Sequence, residues 1–161
     1  MSLAHLLSRH ACATPDRSAI FHGSQIHATY GQWAARSAGL GARMLAAGLA
    51  PGDRILLFMR NHPRYLEVMW AAWWAGLVVV PVNAKLHPRE AEWIIADAQA
   101  RWGFVTSDAA PDALPGLERQ IDIESEHAAA LMAPPIDAMS LPIADRDASH
   151  VAWLFYTSGT T

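Results

Sequence analysis

Val151-Ala152-Trp153-Leu154-Phe155 runs directly into Tyr156-Thr157-Ser158-Gly159-Thr160-Thr161. The first five residues are continuously apolar and predict a buried strand. The next six put small hydroxylated residues around a glycine. A glycine at the end of a strand lets the backbone turn sharply and lets a ligand approach. Successive N–H groups on such a turn can converge on an anion. Thr157, Ser158, Thr160 and Thr161 add hydroxyls that can donate to phosphate oxygens or reach a bound Mg²⁺. The chemistry this combination points to is a grip on a polyphosphate.

Two better-known motifs are excluded by spacing. A Walker loop needs Gly-x-x-x-x-Gly-Lys-Ser/Thr, and no such run occurs. A hydrolase elbow, Gly-x-Ser-x-Gly centred on Ser158, would need glycine where Tyr156 and Thr160 stand.

Upstream, residues 107–150 read as a connection. Prolines at positions 111, 115, 134, 135 and 142 punctuate it, with room for a strand from Gln120 to Ile123 and a helical turn or two from His127 to Met132. Before it lies a repeating order. Arg54 to Met59, Leu77 to Val82 and Trp102 to Val105 are short, almost continuously apolar runs, as strands covered on both faces would be. Between them, a tryptophan-rich helix from a cap at Asn61 to about Ala75 ends at Gly76. A second helix starts at Pro88 and buries Trp93, Ile94 and Ala98. The run from Val68 to Val82 is too short for a membrane span, which needs about 20 residues, and Gly76 and Pro81 divide it.

Nearer the amino end, Thr29 caps a helix from Tyr30 to about Ala47, with Trp33, Ser37, Leu40, Met44 and Ala47 along one stripe. Ala19-Ile20-Phe21 and Ile26-His27-Ala28 form a hairpin around Gly23-Ser24-Gln25. His22 and His27 flank it, as solvated strand-end residues or as an incomplete metal pair. Residues 3–7 begin a short amphipathic helix with no signal-peptide character. The fold class expected is α/β: a doubly wound, mainly parallel sheet with flanking helices and an N-terminal hairpin. Its parts are residues 1–106, the 107–150 connection, and a strand with the start of a phosphate loop over 151–161.

Composition agrees with one domain. The chain has 161 residues, 52% of them hydrophobic, and a formal charge of −3, so nothing favours nucleic acid or an anionic membrane. Its one cysteine, Cys12, excludes an internal disulfide and fits a cytoplasmic setting. The only lysine, Lys85, is far from the terminal loop in sequence.

Tyr156-Thr157-Ser158-Gly159-Thr160-Thr161 closely resembles the phosphate-binding signature of the AMP-forming acyl-CoA synthetases, the adenylate-forming superfamily. That signature continues with glycine and then Pro-Lys-Gly. Further segments are similar to the family's in the family's order: Ala11 to Pro15, Thr29-Tyr30, Gly48 to Ile55, Asn61-His62-Pro63, and Ala75 to Asn83. The resemblance implies an ATP-dependent acid–thiol ligase with Mg²⁺ and coenzyme A. It implies phosphate contacts at Thr157, Ser158, Gly159, Thr160 and Thr161, with Tyr156 packing instead of binding. It also implies that the chain matches only the opening part of the family's large N-terminal domain. The chain alone is then expected to be inactive, and to form a homodimer through apolar surface left bare around Trp153 to Phe155. The other reading is a standalone, non-catalytic α/β module that binds a nucleotide or a partner.

Overall fold

Strand β3 (Arg54–Met59) lies inside a four-stranded sheet of order β4-β3-β5-β6, with β4 (Val78–Asn83), β5 (Ala100–Val105) and β6 (Arg119–Asp122) all parallel to their neighbours. The computed structural model that shows this describes residues 2–110 and 112–157. Ile55 to Met59 are all buried, as the continuous apolar run predicts for a strand covered on two faces.

Helices supply that cover. α2 (Tyr30–Ala46) and α3 (Arg64–Trp74) pack on the face that presents Ile55, Leu57, Val79 and Phe104, together with α1 (Ala4–Ala13) and α5 (Glu126–Met132). α4 (Pro88–Ala98) packs on the other, against Leu56, Phe58, Val80 and Val105. The chain steps from β3 outward to β4, then returns past β3 to β5. The winding therefore reverses between β3 and β5, the doubly wound pattern expected. The hairpin of β1 (Ser18–His22) and β2 (Gln25–Thr29) forms its own antiparallel pair.

Helix starts are specified locally. Thr29 Oγ1 accepts from Gln32 N at 3.3 Å and Thr29 N donates to Gln32 Oε1 at 3.0 Å, a reciprocal cap on α2. His87 and Glu90 make the same exchange at α4. At α3 the cap is the His62 ring, not Asn61: Nδ1 accepts from Arg64 N at 3.1 Å. Only a neutral ring can accept there. Burial and then the Arg64 charge hold the His62 pKa below its ordinary value. Gly41 lets α2 approach α3, since a Cβ there would stand 2.8 Å from the Ala71 carbonyl oxygen.

Aromatic rings form a continuous ladder through the first core. Centroid separations are 5.2 Å for His10–Tyr30, 6.2 Å for Tyr30–Trp33, 4.8 Å for Trp33–Trp70 and 4.6 Å for Trp70–Trp73. The ladder then crosses to the end of the chain, with 4.9 Å for Trp73–Trp153 and 5.4 Å for Trp153–Phe155.

Several expectations need correction. Trp93 is 63% exposed, because α4 buries Ala91, Ile94, Ile95 and Ala98 and Trp93 lies off that stripe. Ala47 is exposed beyond the end of α2. His27 is not a solvated strand end. Its Nε2 donates to Glu67 Oε1 at 2.9 Å, and Arg36 donates to the same oxygen at 2.7 Å. Glu67 is 2% exposed, so a hydrogen-bonded triad ties the hairpin to α2 and α3. Val151 to Phe155 is not buried on both faces. Val151, Trp153 and Phe155 are 52%, 41% and 64% exposed, and the segment touches the sheet through one parallel bridge, Val79 to Trp153.

Candidate functional site at the carboxyl end of the sheet

Two backbone hydrogen bonds attach the 151–157 segment to the outer edge of β4. Val79 N donates to the Ala152 carbonyl at 3.0 Å, and Leu154 N donates to the Val79 carbonyl at 2.8 Å. The pairing is parallel. Residues after Leu154 therefore emerge at the end where β4 finishes in Asn83. Ligands of open α/β sheets gather at that end.

Side chains fix the segment on both faces of the sheet. On the α3 face, Trp73 Nε1 donates to the Ala152 carbonyl at 2.9 Å. On the α4 face, Leu154 and Tyr156 pack against the second core. The Tyr156 hydroxyl donates to Asp97 Oδ2 at 2.5 Å, and its ring meets Trp93 edge-on at 5.8 Å. Burial and then the Asp97 carboxylate push the Tyr156 pKa up to about 12. Tyr156 thus packs, as expected, and Thr157 is exposed beyond it.

A cavity of about 800 Å³ opens between the ends of β3 and β4 and this segment. Arg60, Asn61, Tyr65, Asn83, Lys85 and Tyr156 are among its walls. Thr157 faces two adjoining hollows, sharing one with Asn83 and Leu86 and the other with Arg89 and Trp93. The Lys85 ammonium and the Asn61 and Asn83 amides are donors there, set among apolar side chains and the Arg60–Asp108 pair. Among the described residues, no three His, Cys, Asp or Glu side chains converge as a metal would require.

An ion pair spans the point where the winding reverses. Arg60 Nε meets Asp108 Oδ2 at 2.5 Å across the ends of β3 and β5, and Arg60 N donates to Thr106 Oγ1 at 3.1 Å. Partial burial works against ionisation of Asp108, but hydrogen bonds from Thr106 and Arg60 outweigh it and lower its pKa.

Of the five residues read as phosphate contacts, Thr157 stands at this site, while Ser158, Gly159, Thr160 and Thr161 lie outside the described residues. Lys85, remote in sequence, lines the cavity beside Tyr156. Asp97 and Trp93 were not singled out as site residues from sequence, although their i, i+4 spacing puts both on one side of α4.

Comparison with known proteins bears on family and fold. The family model described as AMP-binding enzyme matches residues 7–161. A feruloyl-CoA synthase of Amycolatopsis sp is 34% identical over 154 residues, covering 95% of this chain and 30% of that protein. A sulfoacetate–CoA ligase of Cupriavidus necator is 32% identical over 169 residues, covering 99% of this chain and 33% of that protein. The chain thus spans about a third of the length of these relatives. Among solved structures, an anthranilate CoA ligase in complex with anthranoyl-AMP superposes with a TM-score of 0.87 at 21% identity, over 99% of this chain and 32% of that one. A Mycobacterium tuberculosis fatty acyl CoA synthetase gives 0.83 at 23%, over 98% of this chain and 32% of that one. At these identities the two structures establish the shared fold.

Proposed function

The chain belongs to the AMP-binding enzyme family, and on that premise we propose that it supplies the pyrophosphate-holding corner of an ATP-dependent acid–thiol ligase. In that reaction a carboxylate oxygen attacks the α-phosphorus of ATP, and pyrophosphate leaves. A thiol, that of coenzyme A, then attacks the acyl carbonyl and AMP leaves. Thr157, Ser158, Gly159, Thr160 and Thr161 hold the β- and γ-phosphates, with their Mg²⁺, in line with the attacking oxygen. Hydroxyl and backbone N–H donors there also stabilise charge developing on the departing pyrophosphate.

One observation carries the reading. The parallel bridge to β4 leads Thr157, exposed, to the carboxyl end of the sheet, beside a cavity whose walls include Arg60, Asn61 and Lys85. A cytoplasmic location goes with a reaction that draws on ATP and coenzyme A. Among the described residues, no helix is long and apolar enough to cross a membrane.

The test is carboxylate-dependent exchange of pyrophosphate into ATP by the full-length protein. Thr160→Ala and Thr161→Ala should each slow exchange by ~1.5–3 kcal/mol of barrier, the worth of a hydrogen bond to a charged group. Unchanged exchange in both would remove these hydroxyls from the mechanism. ATP binding without exchange for any carboxylate would favour a non-catalytic nucleotide-binding module.

A further inference from the structure

We propose that Asp97 is a positioning residue for the phosphate-binding loop: it holds the Tyr156 hydroxyl and thereby sets where Thr157 leaves the sheet. The inference rests on the reading above, in which Thr157 begins that loop.

Backbone pairing alone does not reach Thr157. Among the described residues, the last backbone hydrogen bond from the segment to the sheet is Leu154 N to the Val79 carbonyl. Phe155, next in line, is 64% exposed. The next tether along the chain is the Tyr156 side chain, immediately before Thr157. Its hydroxyl reaches Asp97 Oδ2 at 2.5 Å, the short end of the range for a hydroxyl donating to a carboxylate.

Asp97 is itself exposed, but it lies in the last turn of α4, a helix anchored by Ile94, Ile95 and Ala98, which are 4%, 1% and 5% exposed in the second core. The His87–Glu90 exchange fixes the other end of the helix. Trp93, one turn before Asp97, supplies a second contact on the Tyr156 ring. The ring is therefore held by hydroxyl and edge from one helix, while its backbone follows β4.

The test compares Asp97→Ala, Asp97→Asn and Tyr156→Phe in the full-length protein by amide hydrogen exchange and by steady-state kinetics. Losing one hydrogen bond predicts about tenfold faster exchange at Leu154, the last amide of the segment bonded to the sheet, for Asp97→Ala and Tyr156→Phe. Peptides from β3, β4 and β5 should not change. Asp97→Asn keeps an oxygen acceptor and should stay near wild type. In carboxylate-dependent ATP–pyrophosphate exchange, KM for MgATP should rise about tenfold in the same two variants, with KM for the carboxylate unchanged. The double variant should be no worse than either single one, because both remove the same bond.

Unaltered hydrogen exchange at Leu154, or an increase spread evenly over the sheet, would overturn the positioning role. So would faster local exchange with KM for MgATP unmoved. A wild-type protein without any carboxylate-dependent exchange would sink the ligase reading instead, and hydrogen exchange would still decide whether Asp97 tethers Tyr156.

Discussion

The indole of Trp73 donates through Nε1 to the carbonyl of Ala152 at 2.9 Å, across 79 residues of chain. The same carbonyl accepts from Val79 N, so helix and strand hold one oxygen between them. Trp73→Phe keeps a ring against Trp153 and removes the donor. Its expected cost is about 1 kcal/mol. Trp73→Ala also empties core volume and should cost ~3–5 kcal/mol. Urea unfolding of both variants separates the two effects; a Trp73→Phe variant as stable as wild type would mean that the N–H contributes nothing.

Glu67 is buried between Arg36 and His27. Glu67→Ala leaves the Arg36 guanidinium facing an apolar gap, at an expected cost of about 3 kcal/mol. Glu67→Gln keeps an acceptor and should cost less. A loss below about 1 kcal/mol for the alanine variant would put the triad in the class of surface ion pairs.

Alkaline pH should act on the Tyr156 contact. Its pKa is raised from 10.0 to about 12 in the folded chain. The fold therefore favours the protonated hydroxyl. This stabilisation is complete below pH 10 and disappears as pH rises through about 12. Between those values wild type should lose stability faster than Tyr156→Phe, which has no hydroxyl to ionise. Parallel stability curves for the two proteins would contradict the raised pKa.

Much of this was legible because the signals were local. The continuous apolar runs of β3 and β4 are the direct mark of strands covered twice, and Thr29 with Gln32 spells out a helix start within four residues. What was missed depended on distance or on an uncommon residue. Histidine caps α3 and α4, where serine, threonine or aspartate would announce a helix. Glu67 meets His27 only after the hairpin has folded onto α3. Trp93 was assigned inward on hydrophobicity, but one step along a helix turns a side chain by about 100°, away from the stripe of Ala91, Ile94, Ile95 and Ala98. The Tyr156–Asp97 bond had no sequence mark beyond the i, i+4 spacing of Trp93 and Asp97.

Residues 1–161, produced as an isolated polypeptide, should self-associate. Val151, Trp153 and Phe155 expose apolar surface along a segment whose only sheet partner among the described residues is β4. Exposed apolar strand edges invite pairing with a second copy. Light scattering over a concentration series should show mass rising from the 17.5 kDa monomer toward a dimer; a constant monomer mass would refute this. The same polypeptide should release no carboxylate-dependent pyrophosphate. Its affinity for ATP should be millimolar or weaker, about 4 kcal/mol of binding.

The aromatic ladder has an optical consequence. Trp33, Trp70, Trp73 and Trp153 follow one another at centroid separations of 4.6 to 4.9 Å, close enough for an excited indole to hand its energy to the next. Light absorbed deep in the helical layer therefore reaches Trp153, which stands partly in water three residues before Tyr156 and four before Thr157. Emission from the array should therefore respond to the surroundings of that last ring.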